Sequence, residues 1–166
     1  MTIPYTQDLS VVIDVDDLYA AVREFGGAEL SVLALIEHLR QARPTVRRVL
    51  RRIHAVFGAK EVSDDILVEL RRHQVDLHFG SAGRPDVSVF AHAHRATETS
   101  DVVALIVGKK SYLPLLRHIK EHGARVELHA GPSANPALFP AADGVIALPS
   151  TIVNRAPERE RVVALA

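Results

Sequence analysis

The sequence predicts a single domain of the α/β class, a three-layer α/β/α sandwich with a mainly parallel sheet. Two apolar runs, VVIDV at 11–15 and VVALIVG at 102–108, are typical of strands that are buried on both faces. Segments with helical spacing follow these and the other candidate strands, and this alternation predicts right-handed crossovers with helices on both faces of the sheet. A chain of 166 residues is long enough to bury one such core.

In the first half of the chain, residues that favour caps and turns set the limits of the elements. Asp16 and Asp17 are good N-cap residues, and the glycines at 26–27 stop the helix that follows them. A second helix ends before Pro44, and Ser63 caps a third. The predicted elements are a strand at 9–15, helices at 17–25 and 29–42, a strand at 51–58, a helix at 64–74 and a strand at 75–79.

The second half alternates more regularly. Pro85 suits the first turn of a helix, so we predict a helix from Asp86 to Thr97, although VSVF within it has strand character. Gly123 ends the later helix KSYLPLLRHIKEHG. The predicted elements are a helix at 86–97, a strand at 101–108, a helix at 110–123, a strand at 124–130, a short helix at 134–142 and a strand at 143–149.

The chain is expected to divide into a domain at 1–150 and a C-terminal extension at 151–166. The extension ends in the apolar segment RVVALA. An apolar end of this kind either docks on the domain or pairs with a protein partner, including a second copy of the chain. Self-association through this segment is therefore one candidate role.

Composition excludes several classes of protein. The 20 basic and 20 acidic residues cancel, so the overall field of the molecule does not attract nucleic acid. Cysteine is absent, which excludes disulfides, a thiol nucleophile and cysteine-ligated zinc. No apolar stretch approaches the length of a membrane helix, and the first residues do not resemble a signal peptide. We therefore expect a cytoplasmic protein with no membrane partner.

One segment departs from this neutrality. The sequence RQARPTVRRVLRR, at 40–52, carries six arginines and no acid. Such a run predicts either a local patch that binds the phosphates of RNA or a solvated helix end and strand edge.

A candidate site follows from the predicted sheet. Ligands of open parallel sheets bind outside the carboxyl ends of the strands, which places Asp14, Gly58, Gly80 and Gly108 around one crevice. A carboxylate at a buried strand end needs a partner, so Asp14 is either a functional ligand or part of a structural salt bridge. Asp16 and Asp17 are explained by helix capping, with catalysis as the alternative.

Three segments resemble a known family. They are IDVDDLY after the first strand, the long segment VVALIVGKKSYLPLLRHIKEHGARVEL, and the closing DGVIALP. Together they resemble a bacterial NYN domain of the PIN-like nuclease superfamily, over nearly the whole chain. The resemblance implies a PIN-like three-layer α/β/α sandwich, in which several acids bind Mg²⁺ or Mn²⁺ for phosphodiester hydrolysis.

The family's acidic positions are only partly filled in this sequence. Asp14 matches the first acid of the family pattern, and Asp17 stands where the family has Asn. The family's later motif, G-D-S-D-F-x-P-L, aligns with GKKSYLPL, so Lys109 and Ser111 replace two acids while its glycine, proline and leucine are kept.

The family's middle motif falls on PDVSVFAH. Asp86 keeps the earlier acid of this motif, and His92 replaces the catalytic one. The resemblance therefore implies a pocket formed by Asp86, His92, Lys109 and Ser111 together with Asp14, which has most of its acids replaced.

These replacements predict a binding module that has lost ribonuclease activity. Lys109 would place a positive charge near the family's metal position, where it repels a cation and pairs with Asp14, so no cofactor is expected. The partner would be RNA or a protein. The residues predicted to contact nucleic acid are Arg47, Arg48, Arg51, Arg52, Lys109 and Lys110.

The alternative is an active ribonuclease that uses Mg²⁺ or Mn²⁺. Its rearranged acid set would be Asp14, Asp17, Asp86 and Asp101, with Asp14 and Asp17 as catalytic residues. The number of acids that converge distinguishes the two hypotheses.

The nine histidines suggest a third chemistry, a transition-metal site. His92 and His94 are two residues apart, so on a helix they do not share a face. His118 and His122 lie four apart on a helix flank, where exposure is the simpler explanation. We therefore interpret the histidines as structural or solvated and predict no metal site.

Overall fold

The computed structural model describes residues 5–41, 46–80 and 84–154. Its main feature is a six-stranded, wholly parallel sheet with the strand order β4-β3-β1-β5-β6-β7. A second, two-stranded antiparallel ribbon pairs β2 with β8. The strands are β1 (Thr6–Asp14), β2 (Glu29–Leu30), β3 (Arg47–Phe57), β4 (Val75–Phe79), β5 (Val102–Ile106), β6 (Arg125–Ala130), β7 (Gly144–Ala147) and β8 (Val153–Asn154).

Helices cover both faces of the sheet. The α-helices are α1 (Val15–Glu24), α2 (Val32–Arg40), α3 (Asp64–Arg72), α4 (Pro85–Thr99) and α5 (Leu113–Glu121), and short 3₁₀ helices span Lys110–Tyr112, Pro136–Ala141 and Ser150–Ile152. One apolar core lies between the sheet and α1, α2 and α3, and the other lies between the sheet and α4 and α5. The predicted three-layer α/β/α sandwich with a mainly parallel sheet is therefore confirmed.

The strand order reverses beside β1. After β1 the chain builds β3 and β4 on one side of it, and it then returns to build β5, β6 and β7 on the other side. The crevice outside the carboxyl ends of β1 and β5 is therefore the point where such sheets bind ligands. Both strands are central, and every residue from Leu9 to Asp14 and from Val102 to Ile106 is buried.

Some element limits differ from the predictions for local reasons. Helix α1 begins at Val15, because the side chain of Asp14, rather than that of Asp16, caps it. The second helix begins only after Ser31, which accepts a hydrogen bond from the backbone N–H of Ala34. The predicted short helix at 134–142 forms as a 3₁₀ helix, in which Asn135 accepts the cap hydrogen bond.

The strand β3 is longer than predicted because it includes part of the arginine run. Its pairing with β1 shifts register between Leu9 and Ser10, which pair with Leu50 and Arg52. Arg51 is therefore an extra residue, and this β-bulge breaks the alternation of faces along the strand. As a result, Leu50 and Ile53 pack against the same core although they are three residues apart.

Two sequence predictions concern segments outside the described residues. These are the helix end and Pro44 at 42–45, and the apolar end RVVALA of the C-terminal extension. No helix within the described ranges combines the length and the apolar character that crossing a bilayer requires.

Candidate functional site

Asp14 lies at the centre of the candidate site. It is the last residue of β1, its exposed fraction is 0%, and it is the N-cap of α1. Its Oδ1 atom accepts hydrogen bonds from the backbone N–H groups of Asp16 and Asp17, at 3.0 and 3.4 Å. One oxygen of this buried carboxylate is therefore committed to starting the helix.

Lys109 bridges two carboxylates in the crevice. Its Nζ atom lies 3.5 Å from Asp14 Oδ2 and 3.3 Å from Asp17 Oδ1. The other oxygen of Asp17 accepts a hydrogen bond of 2.8 Å from the backbone N–H of Gly108. The pairing of Lys109 with Asp14, which the sequence predicted, is present, and it ties the end of β1 to the turn after β5.

Tyr112 completes the contacts of the buried carboxylate. Its hydroxyl group donates a hydrogen bond of 2.5 Å to Asp14 Oδ2, and its exposed fraction is 2%. The sequence prediction missed this contact. The available signal was a tyrosine where the family motif has phenylalanine, because the added hydroxyl is the atom that reaches Asp14.

The pKa values show how the charges in the crevice balance. Burial raises the pKa of Asp14, and the neighbouring Asp17 charge adds to this, while the Tyr112 hydrogen bond and Lys109 oppose it without cancelling it. Burial lowers the pKa of Lys109, but the three carboxylates around it outweigh burial, so its pKa lies above the usual value. Burial, and then the hydrogen bond to Asp14, raises the pKa of Tyr112. Tyr112 therefore stays protonated and donates to Asp14.

Asp16 has a different task. Its two carboxylate oxygens accept hydrogen bonds from the backbone N–H groups of Ala59 and Lys60, at 3.1 and 2.8 Å. These contacts hold the loop after β3 against the start of α1. A side chain at Gly58 would place its Cβ atom only 2.4 Å from Asp16 Oδ2, so this approach requires glycine.

The remaining predicted pocket residues are only partly brought together. Asp86 lies in the first turn of α4, close enough for its charge to influence Tyr112. Ser111 and Lys110 are exposed on the 3₁₀ helix beside Lys109. His92 lies further along α4, where its ring packs on histidines of β3 and β4.

One acid of the rearranged set, Asp101, lies away from the others. Asp101 precedes β5, where its Oδ2 atom accepts a hydrogen bond from the backbone N–H of Asp8, near the start of β1. Asp8 and Asp14 are six residues apart on β1, which corresponds to about 20 Å. The prediction that Asp101 joins Asp14 is therefore wrong, because the two lie at opposite ends of the sheet.

The arginine run is divided between the interior and the surface. Only 11% of the Arg48 side chain is exposed, and its Nη2 atom lies 2.9 Å from Glu127 Oε2, so it does not belong to a solvent-facing patch. The side chains of Arg51 and Arg52 are 57% and 70% exposed, and they pair with carboxylates of β1 and β4. Arg47 is also exposed.

These arginines are distant from the two lysines of the crevice. Arg52 lies four residues before Val56, which pairs with Asp14, and this corresponds to about 13 Å along the strand. The structure therefore does not join the predicted arginine and lysine contacts into one surface.

A buried polar network was missed by the sequence prediction. Glu127 on β6 contacts Arg48 and also His129, whose Nε2 atom lies 3.2 Å from Glu127 Oε1. His129 in turn shares a hydrogen bond of 2.8 Å with His38 on α2. Burial raises the pKa of Glu127, but hydrogen bonds from His129 and Arg48 and the charge of Arg48 together lower it to about 2. Burial lowers the pKa of His38 to about 4.

The histidines form two clusters that the sequence prediction also missed. The inner triad consists of His54 on β3, His78 on β4 and His92 on α4, and the outer triad consists of His94 on α4 with His118 and His122 on α5. In each triad, one ligand atom from every histidine lies within 4.8 Å of the other two. Burial is the largest cause that lowers the pKa of His54 to about 4, and it also lowers those of His78 and His92. His92 and His94 do not share a face, as predicted, but each joins histidines from other elements.

Comparisons with known proteins agree with this architecture. A solved structure of a protein of unknown function from Vibrio parahaemolyticus is similar to the chain, with a TM-score of 0.74 and 17% sequence identity, over 93% of this chain and 100% of the other. None of the curated proteins compared with the chain matches it. The family model of the NYN domain matches residues 8–149. The resemblance to an NYN domain is thus confirmed, and the chain belongs to the NYN domain family.

Proposed function

We propose that this NYN domain binds RNA without hydrolysing it through a divalent metal ion. The observation that carries the proposal is the position of the Lys109 ammonium group, between the carboxylates of Asp14 and Asp17. In the family motif that the sequence resembles, an acid stands at this position. A fixed ammonium group there repels a cation and already neutralises one of the two charges that would attract it.

The donor set supports the same conclusion. Mg²⁺ and Mn²⁺ require several oxygen ligands in a regular geometry. Here Asp14 Oδ1 accepts the cap hydrogen bonds, Asp14 Oδ2 accepts from Tyr112, and Asp17 Oδ2 accepts from Gly108. The remaining oxygen, Asp17 Oδ1, lies nearest to Lys109. The residues present therefore do not fit the family's divalent ion.

The first test is metal binding. Calorimetric titration of the unmodified protein with Mg²⁺ or Mn²⁺ should show no binding at millimolar concentrations, and single-stranded RNA should stay intact with either ion. The double variant Lys109→Asp/Ser111→Asp restores two acids of the family motif and should bind Mn²⁺, because it replaces the ammonium group with oxygen ligands. Lys110→Asp is the matched control, since it changes the charge one residue away and should not create a site.

The competing hypothesis of an active ribonuclease would be supported by one result. Mn²⁺-dependent cleavage of RNA by the unmodified protein, abolished by Asp14→Asn, would reject the proposed loss of hydrolysis. Fewer acids are available for this alternative than the sequence suggested, because Asp101 lies at the other end of the sheet.

RNA binding is attributed to the exposed arginines of β3. Arg47, Arg51 and Arg52 are solvent-facing, and guanidinium groups contact phosphates without reading bases. Their ion pairs with exposed carboxylates compete with this contact only weakly, because surface pairs contribute about 0 to 1 kcal/mol. Arg48 is excluded from the patch because it is buried against Glu127.

Filter retention of single-stranded RNA tests the patch. Affinity should be weak, independent of sequence, and reduced roughly tenfold between 50 and 200 mM salt, since three arginines displace few counterions. Replacing Arg47, Arg51 and Arg52 with Glu should abolish retention. The charge-matched control replaces the exposed Arg71, Arg72 and Arg117 of α3 and α5 with Glu. Equal loss in both variants would show that only net charge matters and would reject the patch.

A further inference from the structure

The inner triad has the donor chemistry of a transition-metal site. Imidazole nitrogen suits Zn²⁺ and its neighbours in the first transition row, unlike the carboxylates of the crevice, which suit harder ions. The three rings come from β3, β4 and α4, so the fold, rather than local sequence, brings them together. The closest pair is His54 Nδ1 and His78 Nε2, at 3.0 Å.

The distance between His54 and His78 is close to that of tetrahedral coordination. Zinc to nitrogen bonds of about 2.0–2.1 Å at tetrahedral angles separate two ligand nitrogens by about 3.3 Å. His54 and His78 therefore need to separate by only a few tenths of an ångström to accept an ion between them. The ring of His92 stacks on that of His78 with centroids 3.7 Å apart, and its ligand atom lies within 4.8 Å of both others. The planes of these two rings are inclined by only 27°, so His92 has to rotate out of the stack before its nitrogen points at the same ion.

A carboxylate stands beside the triad. Asp76 pairs with His54 across β3 and β4, and its Oδ2 atom lies 3.8 Å from His54 Nδ1. The same oxygen lies 3.6 Å from the guanidinium group of Arg52, which is 70% exposed. Because Arg52 can turn into solvent, Asp76 is able to offset the charge of a bound ion. Two further cations line the same cavity, Arg51 on β3 and Arg95 on the same helix as His92.

The inner triad is better built than the outer one. All three of its rings are partly buried and lie on three packed elements, so less side-chain freedom remains to be lost when an ion binds. In the outer triad His122 is exposed, and its Nδ1 atom donates to the carbonyl of His118 on the same helix. An ion bound there would have to order an exposed side chain, which costs conformational entropy.

We propose that His54, His78 and His92 bind one Zn²⁺ ion per chain, with the Asp76 carboxylate beside the fourth position. The site is separate from the Asp14 crevice, so it does not depend on the proposed loss of hydrolysis. Three protein ligands with a fourth position that a small ligand can occupy is also the arrangement of reactive zinc sites.

Zinc titration of matched histidine variants tests this site. The protein is prepared without a polyhistidine tag, and Zn²⁺ is titrated in competition with a chromophoric chelator. The unmodified chain should bind one tight equivalent, and His92→Gln should weaken binding by at least about 100-fold, because it removes a direct ligand. His94→Gln is the control on the same helix, two residues away, and should keep the tight equivalent.

Further measurements distinguish loss of zinc binding from loss of folding. In the unmodified protein and in His94→Gln, Co²⁺ in place of zinc should give the visible absorption of tetrahedral coordination, and zinc should raise the melting temperature. Circular dichroism should show that His92→Gln keeps the fold, and if it does not, His78→Gln replaces it in the same comparison. The proposal is overturned if the unmodified chain binds no zinc, if His92→Gln binds as tightly, or if only His94→Gln loses the ion.

Discussion

Two carboxylates are buried within the described ranges of the chain, and their environments shift their pKa values in opposite directions. Asp14 and Glu127 have exposed fractions of 0% and 2%, and each lies beside a cation. Yet the pKa of Asp14 is raised, mainly by burial, whereas hydrogen bonds and the Arg48 charge overcome burial and lower the pKa of Glu127 to about 2. The surroundings of Asp14 therefore disfavour the charged carboxylate, whereas those of Glu127 favour it.

The difference lies in the cation and its geometry. The Arg48 guanidinium group contacts both oxygens of Glu127, at 3.1 and 2.9 Å, and it is itself nearly buried. This two-point contact is strong because a planar fork matches a carboxylate. Lys109 instead reaches Asp14 from a half-exposed position, at 3.5 Å, and shares its charge with Asp17.

The comparison separates structural from functional use of buried charge. Glu127 belongs to a closed network that fixes α2 and β3 against β6, whereas Asp14 lies at the strand-order reversal, where the fold places a ligand site. A carboxylate that is incompletely compensated is typical of functional sites. The raised pKa of Asp14 therefore marks this crevice, rather than the Glu127 network, as the candidate functional site.

The largest effect is expected from Arg48→Met. Removing the guanidinium group from a buried pair should lower the free energy of unfolding by about 3–5 kcal/mol, because Glu127 loses its main counter-charge. Urea denaturation at pH 7 measures this, and Arg47→Met on the exposed neighbour should stay within about 0.5 kcal/mol of the unmodified protein. A loss below about 1 kcal/mol for Arg48→Met would show that Arg48 stabilises Glu127 no more strongly than Lys109 stabilises Asp14.

A smaller effect, in pH dependence, concerns His38 in the Glu127 network. Its folded pKa of about 4 lies below the ordinary value of 6.5, so the unfolded chain takes up the proton more readily. Its contribution to stability is complete above pH 6.5 and is lost as the pH falls towards 4. Because His38 is only partly buried, we expect about 2 kcal/mol rather than the full value of the shift.

Urea denaturation of His38→Gln between pH 7 and pH 4 checks this prediction. The variant should lose less stability over that interval than the unmodified protein. Glu127 titrates at lower pH than His38, because its pKa is lowered to about 2. Its contribution to the free energy of unfolding is lost as the pH falls from about 4.5 towards 2, so it changes little over most of this interval. Parallel profiles for the variant and the unmodified protein would contradict the assignment.

The smallest effect is expected from Asp14→Asn. The amide keeps an oxygen that can cap α1, and burial already disfavours the charge that is removed, so the cost should be about 1 kcal/mol. Chemical denaturation at pH 7 measures it, with Asp86→Asn as the control at an exposed acid of the same region. A loss as large as that of Arg48→Met would mean that Asp14 is fully compensated and structural.

Much of the fold could be predicted because its signals are local. The runs around Val12 and Leu105 are mainly apolar and β-branched, which predicts central strands, and Asp14 marks the carboxyl end of the first. The contact of Lys109 with Asp14 was predictable from the same logic, since the carboxyl ends of adjacent parallel strands lie side by side.

The missed features depend on residues that are distant in the sequence. His54, His78 and His92 lie on a central strand, an edge strand and a helix, and no local pattern shows that they share a face. Glu127 and Arg48 are charged residues in strands, a pattern that is typical of a face exposed to solvent. In the structure α2 covers that face. Pairing of this kind is fixed by topology and not by spacing.

The bulge at Arg51 has a consequence for how this surface could change by mutation. Upstream of it, Arg48 and Leu50 point towards α2, while Arg51 and Arg52 are exposed, so one inserted residue decides which arginines are available. Deleting the Arg51 codon would restore strict alternation and turn Arg48 and Leu50 over, because a shift of one residue exchanges the two faces of a strand. A single in-frame deletion would therefore exchange a buried anchor for a surface charge.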